Sequence, residues 1–108
     1  MAVNFKDVFN QLKNSIIDLA KKNFKDLAVE AASDGTSLLH TIEKDLQRHI
    51  QQLAEGKITK GEFKLLLLGK EDLVQMSALT EAGLAAAKAD AFKTAVFNTI
   101  IDTVLATI

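Results

Sequence analysis

The sequence predicts an all-α protein, and three observations support this class. Apolar side chains recur in each half of the chain with alternating steps of four and seven residues, an 11-residue rhythm typical of long, nearly straight helices. Proline is absent from all 108 residues, and an interior proline costs a helix about 3 kcal/mol. Near the midpoint of the chain, residues typical of a helix C-terminus are followed by residues typical of a helix N-terminus. Together these features predict a long antiparallel helical hairpin that forms a single domain over residues 1–108.

The first predicted helix runs from about residue 4 to about residue 55. Its apolar series starts at Phe5 and reaches Leu53, and only His49 interrupts it. The full series is Phe5, Phe9, Ile16, Ala20, Leu27, Ala31, Leu38, Ile42, His49 and Leu53. An 11-residue repeat corresponds to about 3.67 residues per turn, so the stripe keeps its phase along the whole helix.

The predicted turn covers residues 56–59. Gly56 follows the first helix and accepts a left-handed backbone without steric cost. Thr59 and Glu62 then have the spacing of a capping box, in which the Thr59 hydroxyl accepts from the Glu62 amide and the Glu62 carboxylate accepts from the Thr59 amide. We therefore expect the chain to reverse here.

The second predicted helix covers residues of about 60–108. Its series is Phe63, Leu67, Val74, Ala78, Ala85, Ala89, Val96, Ile100 and Thr107. When the two series are paired in antiparallel order, Ala31 lies opposite Ala85. Both helices carry small residues around this point, so the sequence predicts a waist where their backbones come close.

A four-helix bundle with breaks near Gly35 and Gly83 is the alternative fold. The segment 33–37 reads locally as a helix break, and Gly83 suggests a second one. However, the 11-residue phase continues across both glycines, from Leu27 to Leu38 and from Val74 to Ala85. This continuity favours the hairpin, since a loop has no physical reason to preserve helical phase.

The residues with reactive side chains suggest no catalytic site. The chain has no cysteine and two histidines. His40 is predicted on a solvated helix face, while His49 follows Asp45 by one turn and forms a structural pair with it. A zinc site takes three or four protein ligands, and no serine triad or phosphate-binding loop is present. We therefore expect no enzymatic activity, cofactor, metal ion or small-molecule substrate.

The charge balance argues against a nucleic-acid partner. Thirteen basic and 14 acidic residues give a net charge of −1, and the chain has neither tryptophan nor tyrosine to stack on bases. The N-terminus carries no basic segment followed by an apolar run, so no signal peptide is predicted and a cytoplasmic location is the default.

Apolar residues beyond the hairpin seam predict self-association. A two-helix hairpin covers one stripe on each helix, whereas a second series runs beside each stripe. The predicted interface residues are Ile17, Leu39, Ile50, Leu73, Leu84, Phe97, Ile101 and Leu105. Exposed apolar surface of this extent usually marks an interface. We therefore expect a structural or interaction protein that forms a homo-oligomer or filament of coiled-coil type. The alternatives are a membrane-active protein that inserts residues 91–108, and a small binding partner of another protein.

Overall fold

The computed structural model describes residues 4–107 and confirms the all-α class. Helices account for 82% of these residues, and no strand occurs among them. The elements are α1 (Phe5–Asn23), α2 (Ala28–Ala54), α3 (Lys60–Leu68), a short 3-10 helix (Glu71–Leu73), α4 (Ser77–Glu81) and α5 (Ala86–Thr107). The four longer helices pack against one another as a bundle.

The helices are shorter than the sequence predicts. Two helices of about 50 residues would each extend roughly 75 Å at 1.5 Å per residue. The molecule instead measures 44 × 24 × 19 Å along its principal axes. The chain is interrupted at 24–27, at 69–76 and at 82–85. The predicted bounds of 4–55 and 60–108 are therefore wrong, although the reversal between the two halves is where the sequence places it.

The turn at 55–59 confirms the predicted stop and start. Gly56 has a φ of 74°, and the amide of Lys57 donates to the carbonyl of Gln52 at 2.9 Å, which closes α2. The Glu62 amide donates to the Thr59 hydroxyl at 3.1 Å, and the Thr59 amide donates to the Glu62 carboxylate at 2.9 Å. Both halves of the capping box are therefore formed at the start of α3.

The first half breaks at a place that the apolar rhythm conceals. Helix α1 ends at Asn23, and Phe24 adopts an extended backbone that turns its ring against Phe92 of α5, with the ring centroids 5.2 Å apart. The short link 24–27 then allows α1 and α2 to pack side by side. The predicted continuity of the first helix is wrong at 24–27. Each of the two helices buries its own part of the apolar stripe, and the link preserves the 11-residue spacing by coincidence.

Helix α2 runs without a break through Asp34 and Gly35, as the hairpin predicts, and the break near Gly35 of the bundle alternative is not formed. The predicted waist, however, is wrong. Gly35 is buried where a Cβ atom would collide with Ile16 of α1 and would lie 3.9 Å from Val96 of α5. A close approach therefore exists, but its partners are α1 and α5. Ala85, the predicted partner of Ala31, is exposed.

The second half breaks as the bundle alternative predicts, but twice. Gly83 has a φ of 97° and ends α4, while the earlier break follows Gly69 at the end of α3. Val74 is extended and buried between the 3-10 helix and α4. The short elements between α3 and α5 therefore form a folded connection instead of continuing a helix.

One apolar core joins the described helices. Fully buried residues come from α1, α2, α3, α4 and α5, and the largest of them include Leu12, Leu38, Phe63, Leu79 and Phe97. Within residues 4–107, no helix is both long and apolar enough to cross a bilayer. That result includes α5, the helix on which the membrane alternative depends.

Candidate interaction surface

Three exposed leucines lie within nine residues of one another on α3 and the following 3-10 helix. Leu65 is 72% exposed, Leu66 is 39% exposed and Leu73 is 69% exposed. Within residues 4–107, Val29 at the start of α2 is the fourth large apolar residue with high exposure. Single exposed apolar residues are ordinary, but a local group of three is not. We call Leu65, Leu66 and Leu73 the leucine surface.

Helical geometry explains why α3 exposes leucines. Residues 65–68 are four consecutive leucines, and successive side chains on a helix point about 100° apart. Phe63 and Leu67 share one face and are fully buried, which anchors α3 on the core. Leu65 and Leu66 therefore point away from the core. The sequence contains this signal, since a run of four leucines in a short helix cannot be buried on one side. The 11-residue series, however, includes neither Leu65 nor Leu66.

A charged network fixes the position of the chain between α3 and Leu73. The Lys70 ammonium lies 2.9 Å from the Asp45 carboxylate on α2, and the Arg48 guanidinium donates to the same carboxylate at 2.9 Å. Lys70 follows α3 directly and precedes the 3-10 helix. Its ion pair therefore ties the middle of the leucine surface to α2.

The same network predicts how the Asp45 carboxyl group titrates. The hydrogen bond from Lys70, together with its positive charge, lowers the pKa of Asp45 below its ordinary value of 3.8. A carboxyl whose pKa is lower in the folded state stabilises that state above its unfolded pKa and loses this contribution as the pH falls through the folded pKa. We therefore expect the carboxyl carbon of Asp45 to titrate below pH 3.8 in an NMR experiment.

The matched variants for this titration both remove a lysine charge from the same part of the chain. Lys70→Gln should raise the titration midpoint of Asp45, because it removes the largest cause of the lowered pKa. Lys64 is exposed on α3, and Lys64→Gln should leave the titration midpoint of Asp45 unchanged. An Asp45 midpoint that does not respond to Lys70→Gln would contradict the ion pair.

Charges around the leucine surface are balanced. The exposed charged residues of α3 and the 3-10 helix are Lys60, Glu62, Lys64 and Asp72. Two of them are basic and two are acidic, so this region has no net charge of its own. A surface of this kind offers no attraction to a strongly charged partner such as nucleic acid, but it can pair with a surface of the same composition.

The structure separates the predicted interface residues into two groups. Leu39, Ile50, Phe97 and Ile101 are at most 2% exposed, so they belong to the core and their predicted availability to another subunit is wrong. The physical reason is the bundle: each helix has several neighbours in the same chain, and these neighbours cover the second apolar stripe.

The remaining predicted interface residues reach the surface to different extents. Leu84 and Leu105 are partly buried and pack against the core. Ile17 is partly buried on α1. Leu73 alone is strongly exposed. It is therefore the one predicted residue that joins the leucine surface, and the repeat analysis missed its neighbours Leu65 and Leu66.

The histidines and carboxylates converge on no reactive centre in the described part of the chain. His49 is buried, and its Nδ1 lies 2.9 Å from the side-chain oxygen of Gln52. The Asp45 carboxylate is hydrogen bonded to Lys70 and Arg48, so the predicted Asp45–His49 pair is replaced by other partners. His40 is exposed, as predicted, and lies beside Phe9. Among residues 4–107, no group of three histidine or acidic side chains is placed to hold a metal ion.

A shallow cleft of about 460 Å³ lies between α4 and α5. Its floor contains buried Val74, Met76 and Ala89. The Lys93 ammonium at its side donates to the Val74 carbonyl at 3.3 Å. That lysine therefore joins the segment before α4 to α5. The side chains that line the cleft include no histidine or cysteine.

No protein-family model matches the chain, and neither the curated proteins nor the solved structures include a significant match to it. Its function is therefore inferred from its own surface.

Proposed function

We propose that this chain is a non-enzymatic interaction protein that binds a second copy of itself through the leucine surface. The observation that carries the proposal is the local exposure of Leu65, Leu66 and Leu73 on a molecule whose other large apolar side chains, Val29 excepted, are covered among the described residues. A group of exposed leucines with a polar rim is typical of an interface.

The balanced charges favour a second copy as the partner. In a twofold-symmetric contact the same patch lies on both sides, so a patch with charges of one sign would repel itself. Glu62 and Lys64 lie on the same short helix and have opposite signs, and Lys60 and Asp72 add one more of each. A twofold contact between two copies lets acidic side chains of one copy approach basic side chains of the other.

The expected affinity is modest. Burying one leucine is worth roughly 1.5–3 kcal/mol, and two copies contribute six leucines, one pair of which is already partly covered. Loss of translational and rotational freedom costs about 4–15 kcal/mol. Because the two ranges overlap, we expect the weak, concentration-dependent association that is common for small interfaces.

The test is a comparison of molar masses by light scattering after size-exclusion chromatography. At about 20–300 µM, wild type should show a mass that rises with concentration toward twice that of the chain. Leu65→Glu should remain monomeric over the same range, because it places a carboxylate within the contact. Circular dichroism should show the same helix content for both, since Leu65 is not part of the core.

Val29→Glu is the matched control. Val29 is 79% exposed on α2, so the substitution changes charge and apolar exposure in the same sense outside the leucine surface. It should associate like wild type. A wild type that stays monomeric at all concentrations, or a Leu65→Glu variant that associates like Val29→Glu, would overturn the proposal. A monomeric wild type would favour a different protein as the partner.

A further inference from the structure

The connection between α3 and α5 is built differently from the rest of the molecule. We call residues 69–85 the strap. It contains the 3-10 helix and α4, which has only five residues. An isolated helix shorter than about 12 residues is not stable in water. The conformation of the strap therefore depends on contacts with other parts of the chain.

The most specific of these contacts comes from Asp34 in the middle of α2. One oxygen of its buried carboxylate accepts from the amide of Ala78 at 2.9 Å, and the other accepts from the amide of Leu79 at 2.8 Å. The first amides of a helix have no partner within the helix, and a carboxylate makes stronger hydrogen bonds to them than a neutral acceptor does. A residue 44 positions away in sequence therefore caps α4.

Apolar anchoring of the strap is limited. Val74, Met76 and Leu79 are its buried side chains, and Lys93 of α5 holds the Val74 carbonyl. Most of the other strap residues are exposed, including the whole stretch 80–83. Gly83 has a φ of 97° with no atom within 4 Å of the position of a Cβ. Few buried side chains, a short helix and a glycine at one end are features of a region that opens locally.

We propose that the strap opens as a unit while the rest of the bundle stays folded, and that the Asp34 carboxylate is the latch that holds it closed. Opening breaks the two capping hydrogen bonds, the Lys70–Asp45 ion pair and the hydrogen bond from Lys93 to the Val74 carbonyl. It also uncovers the faces of α2 and α5 that α4 contacts in the closed state. In the remaining core, α2 and α5 contact each other, and α1 and α3 each contact both of them. They therefore retain their packing when the strap leaves.

The latch also controls the leucine surface, a consequence that rests on the proposed function. Leu73 lies inside the strap, whereas Leu65 and Leu66 lie on α3, whose buried residues Phe63 and Leu67 anchor it separately. When the strap opens, Leu73 loses its fixed position relative to Leu65 and Leu66. Closing the latch therefore assembles the leucine surface, and opening it removes one of its three members.

Amide hydrogen exchange measured by NMR tests the latch without reference to association. It is carried out in the Leu65→Glu background, so that a failure of self-association does not affect it. In this background the amides of Ala78 and Leu79 should exchange through an opening with little dependence on denaturant. Those of Leu38 and Ile100 should exchange only through global unfolding.

Removing the carboxylate should favour the open strap. Asp34→Ala should accelerate exchange of the Ala78 and Leu79 amides by about 10- to 100-fold, because two charge-assisted hydrogen bonds are lost. The amides of Leu38 and Ile100 should still exchange only through global unfolding, with the strong dependence on denaturant that this requires. Asp34→Asn keeps one acceptor oxygen and should give a smaller acceleration.

Two outcomes would overturn the proposal. The first is that Ala78 and Leu79 exchange with the same denaturant dependence as Leu38, since the strap and the core would then unfold together. This measurement needs no substitution at Asp34, so it holds even if Asp34→Ala fails to fold. The second is that Asp34→Ala leaves the exchange of both strap amides unchanged.

Discussion

Ile101→Lys is expected to unfold the chain. Ile101 lies on α5, is 2% exposed and belongs to the same core as Phe97 and Ile100. An ammonium group buried there without a partner costs several kcal/mol, and a domain of this size is stable by about 5–15 kcal/mol. Thermal denaturation followed by circular dichroism should therefore show no cooperative transition, or one that is lowered by tens of degrees.

Leu73→Lys is the control for this substitution. Leu73 is 69% exposed, so the same lysine stays in water and the melting temperature should change little. If Ile101→Lys instead stayed helical and melted near the wild-type temperature, Ile101 would lie on the surface, as the analysis of apolar stripes predicts, and the packing of α5 would be wrong.

Gly35→Ala is expected to destabilise the protein, although alanine is the better helix former. The substitution gains up to about 1 kcal/mol of helix propensity. The new Cβ, however, collides with the β-branched Ile16 side chain of α1, and overpacking of a core typically costs about 1–3 kcal/mol. We expect a net loss of about 1–2 kcal/mol in the free energy of unfolding, measured by denaturant titration.

Two further variants isolate the cause. Gly61→Ala, in α3, has Thr59 Oγ1 at 3.9 Å as its nearest neighbour, so it should be neutral or stabilising. Ile16→Leu removes the methyl group on Cβ, and Gly35→Ala should cost less in that background. Equal effects of Gly35→Ala and Gly61→Ala would show that α1 does not approach α2 at this point.

Asp34 and Gly35 explain why the segment 33–37 reads locally as a helix break although α2 continues through it. Polar and glycine residues in series are the local signature of a loop. Gly35 allows α1 and α5 to approach α2. The Asp34 carboxylate caps α4, which begins more than 40 residues later in the sequence. Both roles depend on contacts that are far apart in sequence. No local pattern distinguishes them from a turn.

Other features could be predicted because they depend on local chemistry. The turn at Gly56 and the capping box of Thr59 and Glu62 need only neighbouring residues, and both are formed. The buried stripe of the first half is also correct, since each of its ten residues is buried or partly buried. Burial thus follows from periodicity, whereas the partner that covers each stripe depends on the tertiary arrangement of the breaks.

Disulfide trapping of single-cysteine variants tests the central claim, that the leucine surface is a contact between two copies. The chain has no cysteine, so each introduced thiol is the sole reporter. Gly69 is exposed beyond Leu66, has an ordinary helical backbone, and places a Cβ no closer than 3.5 Å to other atoms. Asn14 is an exposed position on α1, which packs on α2 and α5, and it provides the matched control.

Under mild oxidation, Gly69→Cys should form a covalent dimer rapidly, and adding Leu65→Glu should slow its formation to the rate of Asn14→Cys. That result would locate the contact at the leucine surface, because only thiols held near the twofold axis are brought together. Equal rates for Gly69→Cys and Asn14→Cys, unaffected by Leu65→Glu, would reflect random collision and contradict the account.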